Sequence, residues 1–522
     1  MVRGVGANRI LAPLAVVMAL GAVYGLASFG HATTLGSGKQ VPAPRSAAAT
    51  SVVRACPSLG LAGSATGDVA LVAAPVTTGA GQAQVSRLSG TGAPLHTLTR
   101  PGQLSVAAVR AQSPARHTTG TGTGTKGSGG KGPTATASPG AGTGGQPVPT
   151  VPAVGGVVVR ATGSMARGLE VEQVTSGGIP SARCESPRTD FWFVGPGLHG
   201  LARIQLYLMN PGSQSADVNV EVSTDAGPLQ GSTDTGIAVA PHAMVVQTLG
   251  TVLHGSRVLA LHVRTSVGQV VAGVQESTST GGGGAWLPAA QSPATTVVLP
   301  GLPAAAGTRQ LYVAVPGIKD AHLKLTAVTT KGSYQPTGGT GLDIPGGSAV
   351  SIALPSLSGV PSALKLSSNV PITASAMLSG GPSGAPGVFT AAAPPVQEQG
   401  VVAYNKGGGG TDSQLVLSAP GHPVRAQITE ISSSGAAGQP KVVQIPSGHS
   451  VVAQLGKGGG SGHGSVFAVV VVPLPGSGLL YAGRVITSSG TGGRVEALLP
   501  VPSALTLVPL PHVANAFITT VP

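Results

Sequence analysis

The sequence is poor in the residues that build catalytic sites and metal centres. Its 522 residues include only 16 acidic side chains, and aromatic residues make up 3% of the chain. It contains no H-E-x-x-H and no G-x-S-x-G segment, and none of its 12 histidines is followed by another four residues later. Acid–base and metal chemistry need positioned acids, bases or ligands. We therefore predict no enzymatic activity, no catalytic residues, no metal site and no cofactor.

Helical periodicity is also missing beyond the N-terminus. No segment there repeats apolar residues at the helical period of about 3.6 over a helical length. Instead, 82 glycines and 44 prolines separate apolar runs that are rich in valine. Short apolar runs between turn-forming residues are typical of strands, so we predict an all-β protein.

Three matched segments recur along the chain. Residues 206–212 read LYLMNPG, 311–317 read LYVAVPG and 415–421 read LVLSAPG. The steps between Pro211, Pro316 and Pro420 are 105 and 104 residues. A step of this length is the size of a small domain, which predicts an array of similar modules.

A further module with the same spacing is predicted upstream. The step from Pro75 to Pro211 is 136 residues, 32 more than 104. The excess matches residues 113–150, which have almost no large apolar side chains and are predicted to form a disordered insert. The predicted domains are 1–35 (cytoplasmic tip and anchor), 50–185, 186–296, 297–398 and 399–522.

The last module shows its strand pattern most clearly. Seven short runs, broken by proline, glycine and serine, cover residues 414–419, 424–431, 441–445, 450–455, 466–472, 479–487 and 494–499. Seven strands in about 100 residues are typical of an immunoglobulin-like β-sandwich. We predict tandem immunoglobulin-like sandwich modules behind one N-terminal transmembrane helix. Short proline-containing connections favour a stiff rod.

The N-terminus carries a candidate membrane segment. Residues 10–29 are uncharged and follow Arg3 and Arg9. About 20 apolar residues can span a bilayer, and a positive flank stays in the cytoplasm. We expect a single-pass signal-anchor at the cell membrane, with the bulk of the chain extracytoplasmic. The alternative is a secreted protein that has lost this segment by cleavage.

Two cysteines, Cys56 and Cys184, lie at opposite ends of the first module. An even cysteine count favours an oxidising compartment. We predict a disulfide that joins the two ends of this module, and two free buried thiols are the alternative.

Positive charge is concentrated in the first part of the chain. Residues 1–200 hold 15 Lys and Arg against 5 Asp and Glu, whereas the formal charge of the whole chain is +13. Basic surfaces attract anionic partners, here an anionic envelope polymer or an envelope protein. Nucleic acid is not expected, because aromatic platforms for bases are missing. The alternative is diffuse solubilising charge.

Aromatic residues cluster once. Phe191, Trp192 and Phe193 follow Cys184 closely. They could form a surface patch for sugar stacking or docking, or the first core strand of the second module.

These residues and others carry a family resemblance. The segments DFWF at 190–193, LMNP at 208–211, LHVR at 261–264, AWLPA at 285–289 and VLPG at 298–301 resemble the actinobacterial family DUF5719, a domain of unknown function. The resemblance implies a single-pass or secreted envelope protein. It implies no catalytic residues, since the family has no established activity.

We therefore expect a non-catalytic extracytoplasmic envelope protein with a structural or binding role, whose partner is a wall glycan or an envelope-assembly protein. Two alternatives are an accessory subunit of a membrane glycosyltransferase or transporter, and an envelope glycan-acting enzyme. Two carboxylates converging in one pocket would favour the enzyme.

Overall fold

A computed structural model describes the chain from residue 46 to residue 509. The description omits residues 58–65, 76–78, 91, 111–150, 153–154, 176–178, 200, 230–235, 251–252, 254, 279–283, 305–306, 355–356, 380–386, 457–464 and 489–493. The predicted anchor at 10–29 and the predicted insert at 113–150 lie outside the described residues. Among the described residues, no helix is long and apolar enough to cross a membrane.

The described chain forms 36 strands and two short 3₁₀ turns, at Ser164–Ala166 and Leu357–Gly359. The prediction of an all-β protein is confirmed. The first strands are β1 (Ser46–Ala48), β2 (Ser51–Cys56), β3 (Thr66–Val72), β4 (Gly81–Arg87), β5 (His96–Leu98), β6 (Ser105–Arg110), β7 (Val151–Pro152), β8 (Val157–Gly163), β9 (Glu170–Thr175) and β10 (Pro180–Arg183).

A second group follows: β11 (Asp190–Pro196), β12 (Leu201–Asn210), β13 (Ala216–Thr224), β14 (Gly227–Pro228), β15 (Ile237–Val239), β16 (Ala243–Thr248), β17 (Val258–Val267), β18 (Val271–Thr278) and β19 (Gly284–Leu287). A third comprises β20 (Ala294–Leu302), β21 (Thr308–Ala314), β22 (Ala321–Thr329), β23 (Gly332–Tyr334), β24 (Leu342–Ile344), β25 (Ala349–Leu354), β26 (Ser362–Ser379) and β27 (Val388–Ala391).

The last group is β28 (Gly400–Gly407), β29 (Thr411–Ala419), β30 (Val424–Ser432), β31 (Lys441–Ile445), β32 (His449–Gln454), β33 (Ser465–Pro473), β34 (Tyr481–Ser488), β35 (Val495–Pro500) and β36 (Leu507–Pro509), which pairs with β1. The seven runs expected in this region overlap β29 to β35. The runs did not include β28, which precedes them, or β36, which follows them.

One pairing scheme occurs four times along the chain. The strands of each repeat are numbered from first to eighth when the short strands β7, β14 and β23 are left out. In each repeat, one sheet has the order first, sixth, third and fourth strand, and we call it the front sheet. The other has the order fifth, second, seventh and eighth strand, and we call it the back sheet. The first strands of the repeats are β2, β11, β20 and β28, and the eighth strands are β10, β19, β27 and β35. In the third repeat, the long strand β26 serves as both sixth and seventh strand.

Each repeat buries an apolar core between its two sheets. Alternation along β13 shows why: Val218, Val220 and Val222 point into the core, whereas Asp217 and Glu221 point away from it. Successive side chains of a strand point to opposite faces, so the alternating sequence fixes which face is buried. Each of the other three repeats has a corresponding core.

The outer faces of the sheets pack repeat against repeat. The front sheet of the first repeat meets the back sheet of the second, where Val158 packs with Tyr207 and Trp286. The front sheet of the second repeat meets the back sheet of the third, where the hydroxyl of Ser375 donates to the carbonyl of Val194. Both interfaces therefore join a front sheet to the back sheet of the following repeat.

The same construction continues until the chain closes on itself. On the back sheet of the fourth repeat, the Ser450 hydroxyl donates to the carbonyl of Val328 on the front sheet of the third, at 2.7 Å. The front sheet of the fourth repeat then packs on the back sheet of the first, through Val401, Val470 and Ala70. Four head-to-tail contacts of one kind close a ring. The expectation of a stiff rod is wrong, because a rod would keep the first and last repeats apart.

One glycine pair shows how close the sheets of neighbouring repeats come. A β-carbon added to Gly483, on β34, would lie 2.4 Å from the α-carbon of Gly301, on β20. That distance is shorter than any non-bonded contact between carbon atoms. The interface between the third and fourth repeats therefore requires a residue without a side chain at this point.

Candidate functional site

The eighth strands of the four repeats meet at the centre of the ring. Each of them is the edge strand of its back sheet and pairs on one side only. Going round the ring, each eighth strand contacts the eighth strand of the next repeat. Together with the segments that flank them, they surround a cavity of about 450 Å³. This volume is within the range of small-ligand sites, about 300–1,000 Å³, and we take this central cavity as the candidate functional site.

Two eighth strands line the cavity without interruption. Residues 284–291, around β19, and residues 494–503, around β35, contribute every position to the wall. Because side chains alternate between the two faces of a strand, a strand can present consecutive residues only when its edge faces the cavity. The unpaired edges of β19 and β35 therefore lie beside the cavity, whereas the backbone N–H groups of Ala290 and Gln291, beyond β19, donate to the carbonyl groups of Trp192 and Ala392.

Three aromatic residues belong to the apolar part of the wall. Phe193, Trp286 and Phe389 line the cavity, and each is buried against the surrounding cores. The ring of Trp286 leans on that of Tyr207, with 5.1 Å between the centroids. These rings are therefore held in place by the packed cores behind the wall.

Charged side chains line another part of the cavity. They are three arginines and two glutamates: Arg183, Glu185, Arg188, Arg494 and Glu496. Arg188 lies 3.9 Å from Glu185, and Arg494 lies 3.8 Å from Glu496. Both distances exceed the length of a hydrogen bond. The wall thus carries one net positive charge and two arginines whose ion pairs are loose.

Arg188 is held in place by an aromatic ring. Its guanidinium carbon lies 4.0 Å from the centroid of the Phe191 ring, a cation–π contact. Its Nε atom is buried and has no hydrogen-bond partner among the described residues. Arg188 is therefore a positioned donor with unused hydrogen-bonding capacity beside the cavity.

A buried ion network supports the charged wall from behind. Glu170 accepts hydrogen bonds from Arg54 and Arg183, both at 2.8 Å. Burial works to raise the pKa of Glu185, but the charges of Arg183, Arg188 and Arg54 outweigh it and lower the pKa. Burial works to lower the pKa of Arg183, but Glu170 and Glu185 outweigh it and raise the pKa. The network therefore favours the charged forms of Arg183 and Glu185, and Arg183 donates to both Glu170 and Glu185.

The disulfide lies beside this network. Cys56 ends β2, Cys184 follows β10, and the structure joins them as predicted, across a sequence separation of 128 residues. Both are completely buried in the core of the first repeat. The bond ties the first strand of the repeat to the segment that leads from β10 into the charged wall.

Removing the disulfide is expected to lower the free energy of unfolding. For Cys56→Ser with Cys184→Ser we expect a loss of about 2–4 kcal/mol, because a long loop is no longer closed in the unfolded chain. Urea midpoints under non-reducing conditions measure the loss. Wild type denatured with reductant serves as the control and should match the variant. An unchanged midpoint, or free thiols in the native protein by mass spectrometry, would contradict the expectation.

The aromatic cluster predicted near residue 190 forms the first strand of the second repeat, β11. Phe191 and Phe193 are buried in the core of that repeat, with their rings stacked 6.1 Å apart. Trp192 points to the opposite face, where it stacks on His262 at 3.8 Å and meets Ala391 of the third repeat. The cluster is therefore packed into the fold and forms no exposed aromatic patch.

His262 lies between two carboxylates. Its Nε2 atom is 2.8 Å from Asp190 and its Nδ1 atom is 3.0 Å from Glu221. Since both ring nitrogens are engaged, neither is free to take a proton from a nucleophile. In the part of the chain that the structure describes, no three His, Cys, Asp or Glu side chains are grouped so that they could hold a metal ion.

Sequence reasoning missed a buried ion pair where the ring closes. Glu172, on β9, accepts the backbone N–H groups of Ala403 and Tyr404 at 3.0 and 3.2 Å. It also lies 3.3 Å from Arg484, on β34, which donates to the Tyr404 carbonyl at 2.8 Å. The side chains of Glu172 and Arg484 are only 3% and 2% exposed. This pair joins the first repeat to the fourth.

A bulge creates the binding site for Glu172. The register of β28 against β33 shifts between Val402 and Asn405, and a bulge leaves residues unpaired in the ladder. The carboxylate satisfies those free N–H groups. The available sequence signal was a charged residue within an apolar strand, as in YAGRVI at 481–486, because a charge is buried there only when it is paired.

Comparison with known proteins gives a family and no function. No curated protein matches the chain. The model of the family described as "Family of unknown function (DUF5719)" matches residues 140–456. The match begins before β7, covers all of the second and third repeats and ends just after β32. Since it covers more than half of the sequence, this chain belongs to the DUF5719 family.

Proposed function

We propose that this protein is a non-catalytic, extracytoplasmic envelope protein whose role is to hold a binding partner. The observation that carries the proposal is the convergence of four repeats on one central cavity. A wall of apolar and charged residues, supported by a disulfide and an ion network, is suited to binding.

The proposed location rests on the sequence and on the disulfide. Residues 10–29 follow Arg3 and Arg9 and have the length of a membrane-spanning helix. A bond between Cys56 and Cys184 is at home in an oxidising compartment. The proposed partners are an anionic envelope polymer or an envelope protein, attracted by the basic first part of the chain.

We also propose that each repeat is a variant immunoglobulin-like domain, with boundaries near 50–185, 186–296, 297–398 and 399–522. In each repeat the second strand pairs with the fifth, and the third with the sixth, as B pairs with E and C with F in an immunoglobulin domain. The first and seventh strands have exchanged sheets relative to that domain. The exchange places the eighth strand at an edge, where it faces the cavity.

The charges in the cavity disfavour Glu185 as the general acid of a glycan hydrolase. A glycosidase uses a carboxylic acid and a carboxylate on either side of the scissile bond. Glu185 and Glu496 both line the cavity, but Arg183, Arg188 and Arg54 lower the pKa of Glu185 against the effect of burial. A general acid needs a raised pKa, so Glu185 is unsuited to that role.

Fractionation of the native host tests the proposed location and role. We expect the full-length protein in the membrane fraction, with its domains degraded by protease added to intact cells. Crosslinking on intact cells should then capture a wall polymer or an envelope protein. An N-terminus near Thr33 in the extracellular form would exclude the anchor. Exclusive capture of a glycosyltransferase or a transporter would indicate the accessory-subunit role instead.

A further inference from the structure

We propose that the central cavity binds an extended peptide segment carrying an acidic side chain, which adds as a strand to the free edge of β35. This inference deepens the proposed binding role, and it rests on that role because it names the class of partner. It does not depend on where in the cell the protein lies.

The first support is the unpaired edge of β35. Its six residues, Val495–Pro500, form a ladder with β34 on one side, and no other strand of the described chain pairs with it. An unpaired edge is normally a site of unwanted association, and proteins cover or interrupt it. Here the edge lies beside the central cavity. Adding a strand would satisfy the backbone groups that the edge presents.

The second support is the size and shape of the cavity. A volume of about 450 Å³ suits a small ligand. A strand rises by about 3.3 Å per residue, so the length of β35 accommodates a segment of about four to six residues. The edge of β19 also faces the cavity, and it could pair with the other side of the same segment.

The third support is charge. The wall carries one net positive charge, and Arg188 and Arg494 are only loosely paired, at 3.9 and 3.8 Å. A carboxylate on the bound segment would give either arginine a short charge-assisted hydrogen bond. Arg494 immediately precedes β35, so it is placed to receive an acidic side chain at one end of an added strand.

A peptide fits these observations better than an acidic amphiphile does. A fatty chain would cover the backbone N–H and C=O groups of the edge without pairing them, and buried unpaired polar groups are costly. A peptide supplies main-chain donors and acceptors to the edge, and small apolar side chains to the partly exposed apolar residues of the wall, such as Ala289 and Leu498. The main chain of the peptide thus matches the free edge of β35, and its acidic group matches the loosely paired arginines of the wall.

The test uses the full-length chain in lipid nanodiscs, which avoids detergent in the cavity. The probe is a pool of acetylated, amidated hexapeptides of Ala, Val, Leu, Gly and Ser around one central Glu, with bound members identified by mass spectrometry. We expect selective retention of a subset of the pool. For the best binder, replacing Glu by Gln should weaken binding about tenfold, and N-methylating alternate amides should weaken it at least as much.

Variants of the protein localise the site. Val495→Trp places a large side chain on β35, among the residues that line the cavity, and should abolish binding. Val442→Trp is the matched control, since Val442 is 48% exposed and does not line the cavity. Arg494→Gln should weaken the Glu peptide about tenfold and the Gln peptide less than twofold. If Val495→Trp lowers the urea midpoint, the variant is destabilised and its loss of binding does not localise the site. The test then rests on the different effects of Arg494→Gln on the Glu peptide and the Gln peptide.

Three results would overturn the proposal. They are no retention of any peptide, equal retention by Val495→Trp, and binding of dodecyl phosphate in place of every peptide. The last result would assign the cavity to an acidic amphiphile. Each of them leaves the fractionation result unaffected, so a failure of the proposed location is recognised separately.

Discussion

Replacing Glu172 by alanine is expected to lower the free energy of unfolding by about 3–5 kcal/mol, because it leaves the charge of Arg484 buried without a partner. It also deprives the backbone N–H groups of Ala403 and Tyr404 of their acceptor, and a buried unsatisfied donor costs about 1–3 kcal/mol. The substitution therefore combines an unpaired buried charge with two unsatisfied N–H groups. We therefore expect a marked drop in the urea midpoint.

The reciprocal variant tests whether the two charges act as a pair. Arg484→Met keeps most of the side-chain volume but leaves the Glu172 carboxylate without its guanidinium, so we expect a loss of similar size. The double variant should lose less than the sum of the two single losses, by about 1–3 kcal/mol. Urea denaturation of the four proteins gives this coupling energy.

An exposed ion pair provides the control. His322 and Asp343 lie 2.6 Å apart on neighbouring strands, and their side chains are 67% and 70% exposed. Asp343→Ala should therefore cost less than about 1 kcal/mol. If Glu172→Ala cost no more than this control, or if the two losses at Glu172 and Arg484 were additive, the pair would not hold the ring closed.

The strands themselves could be predicted, because they are encoded locally. In the fourth repeat, apolar runs separated by proline and glycine marked β29 to β35 with small errors at their ends. The partners of the disulfide followed from the presence of only two cysteines, whereas the predicted insert lies outside the described residues. Sequence reasoning did not separate β28 from the preceding boundary, where a bulge interrupts its pairing between Val402 and Asn405.

The ring could not be predicted, because its contacts join residues that are far apart in the chain. Glu172 and Ala403, which meet at the closure, are separated by 231 positions. Side chains on the outer faces of the sheets, such as Val158 and Val401, look like ordinary strand residues. Only the packing shows that they are buried by a neighbouring repeat and that four edge strands are thereby brought to one cavity.

A second buried carboxylate is expected to make stability depend on pH. Glu276, on β18, is 3% exposed, and its Oε2 atom has no hydrogen-bond partner among the described residues. Burial raises its pKa to about 8, from an ordinary value of 4.5. Burial, and then the charge of Glu276, also raise the pKa of Tyr312, which belongs to the third repeat. Glu276 therefore lies near the boundary between the second and third repeats.

The direction of the pH effect follows from linkage. Between about pH 4.5 and pH 8, the unfolded chain releases the proton of Glu276 while the folded chain keeps it. Stability falls with rising pH wherever the folded state binds more protons. The loss is therefore absent below about pH 4.5, grows through neutral pH and reaches its limit above about pH 8. At about 1.4 kcal/mol per pKa unit, the limit is roughly 3–5 kcal/mol.

Glu276→Gln removes the titration and keeps the shape of the side chain. The variant should equal wild type near pH 4 and exceed its free energy of unfolding by roughly 3–5 kcal/mol at pH 9. Urea midpoints at pH 4, 6, 8 and 9 measure the difference. Asp412→Asn, at an exposed carboxylate on β29, is the control and should follow wild type throughout. A constant difference between wild type and Glu276→Gln across this range would show that the carboxylate titrates alike in the folded and unfolded chains. The boundary between the second and third repeats would then be accessible to water, in contrast to the closed ring.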